Sequence, residues 1–216
     1  MRVVLVHGFN SSPEQNFHPW LAGQLRERGF EVVAPALNVK SGEEFKLKDV
    51  IAQIEAAVGE VKNTDIFLGH SLGALVALNF LEAVEMTETP RAVIMVGAPW
   101  KVAKPELRSL FLADLDADVA IWKAREFYIV HSKDDALVPF EHGQKLAQYL
   151  KGKLVETEGD DHYMGEQYPV LLELIETIAK TPVEYAPCMS LANDYENQAL
   201  ADRIAPPQTE RPDWMT

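Results

Sequence analysis

The chain has 216 residues, 33 acidic against 20 basic side chains, and a formal net charge of −13. Nucleic-acid binding depends on clustered Lys and Arg displacing counterions from phosphates, so this balance excludes nucleic acid as a partner and disfavours an anionic membrane surface. The one cysteine, Cys188, excludes an internal disulfide and a cysteine-based metal cluster.

At this length a single α/β domain buries roughly 70% of its unfolded surface and needs no metal or disulfide staple. The first residues show neither a leader-type apolar core nor a stretch long enough to span a bilayer. A soluble, cytoplasmic protein is expected.

In chain order, short β-branched runs alternate with amphipathic stretches. Strands are predicted at 2–7, 30–34, 65–69, 91–97, 126–131 and 153–157. They show little alternation, as strands buried on both faces of a parallel sheet do. Helices are predicted near 18–28, 43–60, 72–85, 105–112, 140–151 and 166–180. In the second, Val50, Ile51, Ile54, Ala57, Val58 and Val61 recur at helical spacing; in the last, Val170, Leu171, Leu174, Ile175 and Ile178 do so. The alternation predicts a doubly wound α/β sheet with helices on both faces and ligands beyond the carboxyl ends of the strands. A domain over 1–181 is expected. The segment 182–216, with Pro182, Pro187, Pro206, Pro207 and Pro212 and no sustained apolar period, reads as an extension, docked or disordered.

The third strand runs into Gly69-His70-Ser71-Leu72-Gly73 and then into a strong helix former. Glycines two before and two after a serine permit a tight strand-to-helix turn that lifts the hydroxyl above the sheet at a helix N-terminus. Ser71 is therefore the candidate nucleophile. A serine hydroxyl needs a base to take its proton, and in this architecture the chain order is Ser, acid, His. The fifth strand ends in Ser132-Lys133-Asp134-Asp135-Ala136-Leu137-Val138-Pro139, where two carboxylates compete. Asp135, in the Asp-x-x-Val-Pro pattern, is assigned the acid role and Asp134 a local capping role. The sixth strand leads to His162, the candidate base. The neighbouring Asp160 and Asp161 do not make a metal site with it, because three adjacent loop residues rarely converge without further ligands. No metal and no cofactor are expected.

An oxyanion needs two backbone N–H groups. Leu72, directly after the serine, is one; Phe9, in the loop His7-Gly8-Phe9-Asn10, is the other, with Asn10 as the alternative. Asn10, Trp100 and Tyr163 are placed in the pocket wall. His7 is expected to hold its loop, His70 to pack the elbow with its ring away from the serine, His18 to pack or sit at the surface, and His131 to stiffen the acid loop.

At His7-Gly8 with Asn16–Leu21, at GHSLG over 69–73 and at SKDDALVPF over 132–140, the sequence resembles the YdeN-like serine hydrolases, a group that includes the vertebrate retinoblastoma-binding serine hydrolase. The likeness spans about residues 2–180. It implies a compact α/β-hydrolase with a six-stranded parallel sheet, little or no lid, a Ser71–Asp135–His162 triad and carboxylesterase-like activity on a small acyl substrate. Two features depart from the group: Gly-Asp-Asp-His-Tyr replaces a Gly-Gly-His-type loop, and the tail beyond Pro182 has no counterpart there. The Leu-x-Cys-x-Glu element of retinoblastoma-protein binding is absent around Cys188, so that binding is not carried over. The same triad would serve a thioester or an amide. A binding protein that keeps the fold without catalysis is the reading from another class.

Overall fold

A computed structural model describes residues 1–41, 46–101, 107 and 117–182. The chain divides into two units, Met1–Lys180 and Thr181–Thr216, and the first carries the sheet and its helices. The expected extension beyond 182 lies outside the described residues.

Six strands form one parallel sheet in the order β2-β1-β3-β4-β5-β6: β1 Arg2–Val6, β2 Glu31–Val33, β3 Ile66–His70, β4 Ala92–Val96, β5 Phe127–Ser132 and β6 Lys153–Thr157. The order reverses direction between β1 and β3, which opens a crevice at their carboxyl ends. Strand side chains alternate between two cores. Val4, Val6, Phe67, Val93, Met95 and Ile129 face one side, and Val3, Leu5, Ile66, Leu68, Ile94 and Val130 the other. Both faces are buried, which is why these segments read as continuous apolar runs.

The first core is covered by α2 (Leu47–Val58), α3 (Leu72–Ala83) and α5 (Phe140–Tyr149), with the short α4 (Ala117–Ala120) beside α3; the second is covered by α1 (His18–Glu27) and α6 (Pro169–Lys180). Nine of the twelve α3 residues are buried, so this helix is apolar almost all round and sits at the centre of its layer. Its place fixes where the preceding turn emerges.

The amino end of the sheet is tied by a buried ion pair. Arg2 Nε and Nη2 donate to Asp65 Oδ1 and Oδ2 at 3.1 and 2.5 Å, and its other N–H groups reach the carbonyls of Val58 and Glu60 at 2.6 and 2.8 Å. Asp65 also accepts from the Lys62 amide at 2.8 Å. Among the described residues, no helix is long and apolar enough to cross a membrane.

Candidate active site

Between β3 and α3 the chain turns at one residue. The Ser71 amide donates to the Val96 carbonyl at 2.7 Å, one step past the strand. The backbone then takes φ 53° and ψ −124° at Ser71, and α3 begins at once. A left-handed φ on a residue with a Cβ costs about 1–3 kcal/mol and persists only where its surroundings enforce it. The two glycines make the enforcement possible. A Cβ at Gly69 would lie 2.3 Å from Ala74 Cα, and one at Gly73 2.4 Å from the carbonyl oxygens of Val6 and His7. Strand, turn and helix touch backbone to backbone, which leaves the Ser71 side chain directed out of the sheet.

His162 meets it there. The loop after β6 holds Asp161 at φ 46° and Tyr163 at φ 56°, and between them His162 Nε2 stands 2.9 Å from Ser71 Oγ. His162 Nδ1 lies 2.8 Å from Asp135 Oδ2. An ionised carboxylate only accepts, so Nδ1 carries the proton, and Nε2 presents a lone pair to the serine hydroxyl. The Asp135 carboxyl is fully buried. Its other oxygen accepts the amides of Leu137 and Val138 at 2.9 and 2.8 Å. From below, His70 Nε2 donates to the His162 carbonyl at 2.9 Å. Three elements separated by up to 91 positions in sequence thus meet in one hydrogen-bonded line.

The model of the serine hydrolase family matches residues 3–167. The chain belongs to that family. It is 27% identical over 169 residues to the hydrolase YdeN of Bacillus subtilis, covering 77% of this chain and 87% of that one, and is a YdeN-like serine hydrolase. The crystal structure of B. subtilis YdeN superposes with a TM-score of 0.74 at 22% identity, over 83% of this chain and 99% of the other. An esterase domain from a Rhodothermus marinus protein superposes with a TM-score of 0.59 at 20% identity, over 82% and 84% of the two chains. Both likenesses show the fold, that of the α/β-hydrolases.

In this serine hydrolase, a cavity of about 450 Å³ opens over Ser71. Phe9, Asn10 and Leu72, all placed at the site from the sequence, line it together with Ser71 and His162. Asn10 does so with its amide engaged: its N–H donates to the Val39 carbonyl at 2.9 Å, and its side chain clamps Ser41 through bonds of 2.9 and 2.7 Å. That commitment removes Asn10 as an oxyanion donor. Trp100 and Tyr163 are not among the lining residues. The Trp100 ring packs edge-on against Tyr149 at 4.4 Å, and its amide donates to His142 Nδ1 at 2.9 Å. Tyr163 is wholly buried on the far side of its loop, bonded to Thr157 Oγ1 at 2.7 Å and packed on Tyr168; its left-handed backbone turns the ring into the second core, and burial pushes its phenol up.

Other residues, not expected from the sequence, line the cavity. Leu137 and Met164, 68% and 56% exposed, stand on the loops that carry Asp135 and His162, and Lys101, Leu107 and His142 also line the cavity. The signal was available at Leu137 and Met164, large apolar residues two positions from Asp135 and His162. The predicted helix over 105–112 falls outside the described residues, except for Leu107, which is buried.

His7, His18 and His70 are buried and structural. His7 donates from Nδ1 to the Gly8 carbonyl at 2.9 Å and accepts the Leu37 amide at Nε2, also at 2.9 Å, so it joins two loops as a neutral ring; burial lowers its pKa. His18 stacks on Phe17 at 4.5 Å, and burial pulls it down to about 4. His70, which does more than pack the elbow, is pulled by burial to about 3 and so keeps its bond to His162 as a neutral donor. Among the described residues no group of His, Cys, Asp and Glu side chains is arranged to hold a metal ion.

Proposed function

We propose that this hydrolase cleaves small acyl esters through an acyl-enzyme on Ser71. The observation that carries the reading is the line Ser71 Oγ–His162 Nε2–His162 Nδ1–Asp135 Oδ2, with steps of 2.9 and 2.8 Å. His162 accepts the hydroxyl proton as Ser71 Oγ attacks the carbonyl carbon. Asp135 holds the ring in the correct tautomer and stabilises the imidazolium that forms. The oxyanion is received by the amides of Leu72, at the N-terminus of α3, and Phe9. Collapse of the tetrahedral adduct breaks the ester C–O bond, and His162 returns the proton to the departing alkoxide. Water then attacks the acyl-enzyme with His162 again as base, releasing the acid and regenerating Ser71.

The cavity, about 450 Å³, is near the small end of ligand pockets, which favours short acyl groups over long lipids. Labelling by a fluorophosphonate probe tests the nucleophile: wild type labels and Ser71→Ala does not. A panel of aryl esters of graded acyl length then tests the class, with kcat/KM expected to peak at short chains. An unlabelled wild type that still captures a partner protein would overturn the enzymatic reading.

A further inference from the structure

The Asp135 carboxylate faces two imidazoles. His162 Nδ1 is bonded to Oδ2 at 2.8 Å, and His131 Nε2 stands 3.6 Å from the same oxygen. His131 is the penultimate residue of β5, and its side chain has no exposed surface. Its Nε2 lies 2.8 Å from the Val138 carbonyl, so Nε2 carries the proton and donates it there. Val138 is also one of the two residues whose amides hold Asp135 Oδ1, at 2.8 Å. The segment 135–138 is therefore gripped twice, by its own carboxylate from within and by His131 from the strand beneath.

The ring has little freedom. Helix α5 lays Gly143 against it so closely that a Cβ there would lie 2.7 Å from His131 Nδ1 and 2.8 Å from its Cγ, and Phe140 meets its face edge-on with centroids 6.0 Å apart. Nδ1 itself is buried with no hydrogen-bond partner among the described residues. An unsatisfied buried acceptor is costly in a role of packing alone, which a phenyl or isobutyl group fills without that cost. What the imidazole supplies, and those groups do not, is one N–H at the position of Nε2.

We propose that His131 is a positioning residue that acts through Asp135: its N–H anchors Val138 and lies beside Oδ2, which keeps the carboxylate aimed at His162 while that ring becomes positively charged. The inference rests on the triad reading of Ser71, His162 and Asp135. His131 does not line the cavity and touches no substrate, so its loss falls on kcat and leaves KM little changed.

Three variants separate this role from packing. In His131→Gln the amide nitrogen reaches about the place of Nε2; in His131→Asn it falls near Nδ1, against Gly143; His131→Phe has no donor. With p-nitrophenyl butanoate, the Gln variant is expected to retain most of kcat. The Asn and Phe variants are expected to lose on the order of 10–100-fold in kcat at nearly constant KM. Thermal unfolding of each variant reports the folded fraction. Asn and Gln variants of equal kcat overturn the proposal, as does a loss that merely tracks the folded fraction. If Phe fails to fold, the Gln–Asn pair decides. Asp135→Asn is run alongside: if it keeps full activity, the triad reading itself fails, whereas its loss together with indifference to His131 refutes only the role given to His131.

Discussion

Asp134 and Asp135 are neighbours whose carboxylates serve different loops. Asp135 turns inward to His162 Nδ1 at 2.8 Å, while Asp134 turns along the surface, accepts the Gly159 amide at 2.9 Å and bonds the Ser132 hydroxyl. Those two donors hold the Asp134 carboxyl below the usual carboxylate range. Asp134 therefore ties the end of β5 to the end of β6, and Asp135 is the carboxylate within reach of His162.

From this division, Asp135→Asn is expected to lower kcat for aryl-ester hydrolysis on the order of 10⁴-fold, because an amide cannot hold His162 in the required tautomer. Both donors go to one oxygen, Asp134 Oδ1, so Asp134→Asn keeps an acceptor for them in its amide oxygen and is expected to stay within a few-fold of wild type. Steady-state kinetics on the two purified variants checks this. The opposite ranking would refute the assignment of the acid.

The turn at Ser71 predicts a contrast between glycines. At Gly73 a Cβ would lie 2.4 Å from two carbonyl oxygens of the β1 end, whereas at Gly23, within α1, nothing stands within 4 Å. Gly73→Ala must push α3 off β1, an overpacking expected to cost roughly 3 kcal/mol or more, with loss of labelling at Ser71. Gly23→Ala gains helix propensity and is expected to add up to about 1 kcal/mol. Urea unfolding midpoints read both; a Gly73 variant as stable as wild type overturns the close-contact account of the elbow.

The strands were legible because both faces of the sheet are buried, so that Val3 to Val6 and Ile66 to Leu68 carry no polar residue to interrupt them. The site was legible in its chain order and in the glycines of the elbow, since backbone contact at Gly69 and Gly73 leaves no choice of residue. Three kinds of feature were not. The four residues of α4 are too few to show a period. The last helix begins at Pro169, after the Gly165 amide turns onto the Tyr168 hydroxyl at 2.8 Å, a contact between positions that no period encodes. The side to which Tyr163 turns depends on the left-handed backbone at that residue, and sequence alone suggests such a conformation for Gly or Asn, not for Tyr.

The buried pair of Arg2 and Asp65 stabilises the amino end of the sheet through geometry that only the two together satisfy. Removing the carboxylate in Asp65→Ala leaves a guanidinium buried without its counter-ion and the Lys62 amide without its acceptor. Breaking such a pair from one side costs about 3–5 kcal/mol. The site lies at the other end of the strands, so kcat per folded molecule is expected to hold while the urea midpoint falls. A variant that unfolds like wild type contradicts the bidentate contact.

Buried imidazoles make the fold labile to acid. His18 and His70 have side chains taken out of water, and burial lowers them to about 4 and about 3 from the ordinary imidazole value of 6.5. Their folded-state values are depressed, so between about pH 6.5 and those values the unfolded chain binds more protons than the folded one. Stability therefore rises with pH across that window and is lost as pH falls through it, by up to about 1.4 kcal/mol per pH unit for each proton. His7, lowered in the same sense by burial, adds to the trend. His18→Asn retains a donor near the place of Nδ1, which bonds the Gln15 carbonyl at 3.2 Å, but cannot titrate. Urea unfolding from about pH 7 down to about pH 5 is expected to show a shallower loss of stability in this variant than in wild type, by up to one proton's worth of slope. Parallel curves would mean that His18 is protonated alike in both states, and that its burial does not govern its titration.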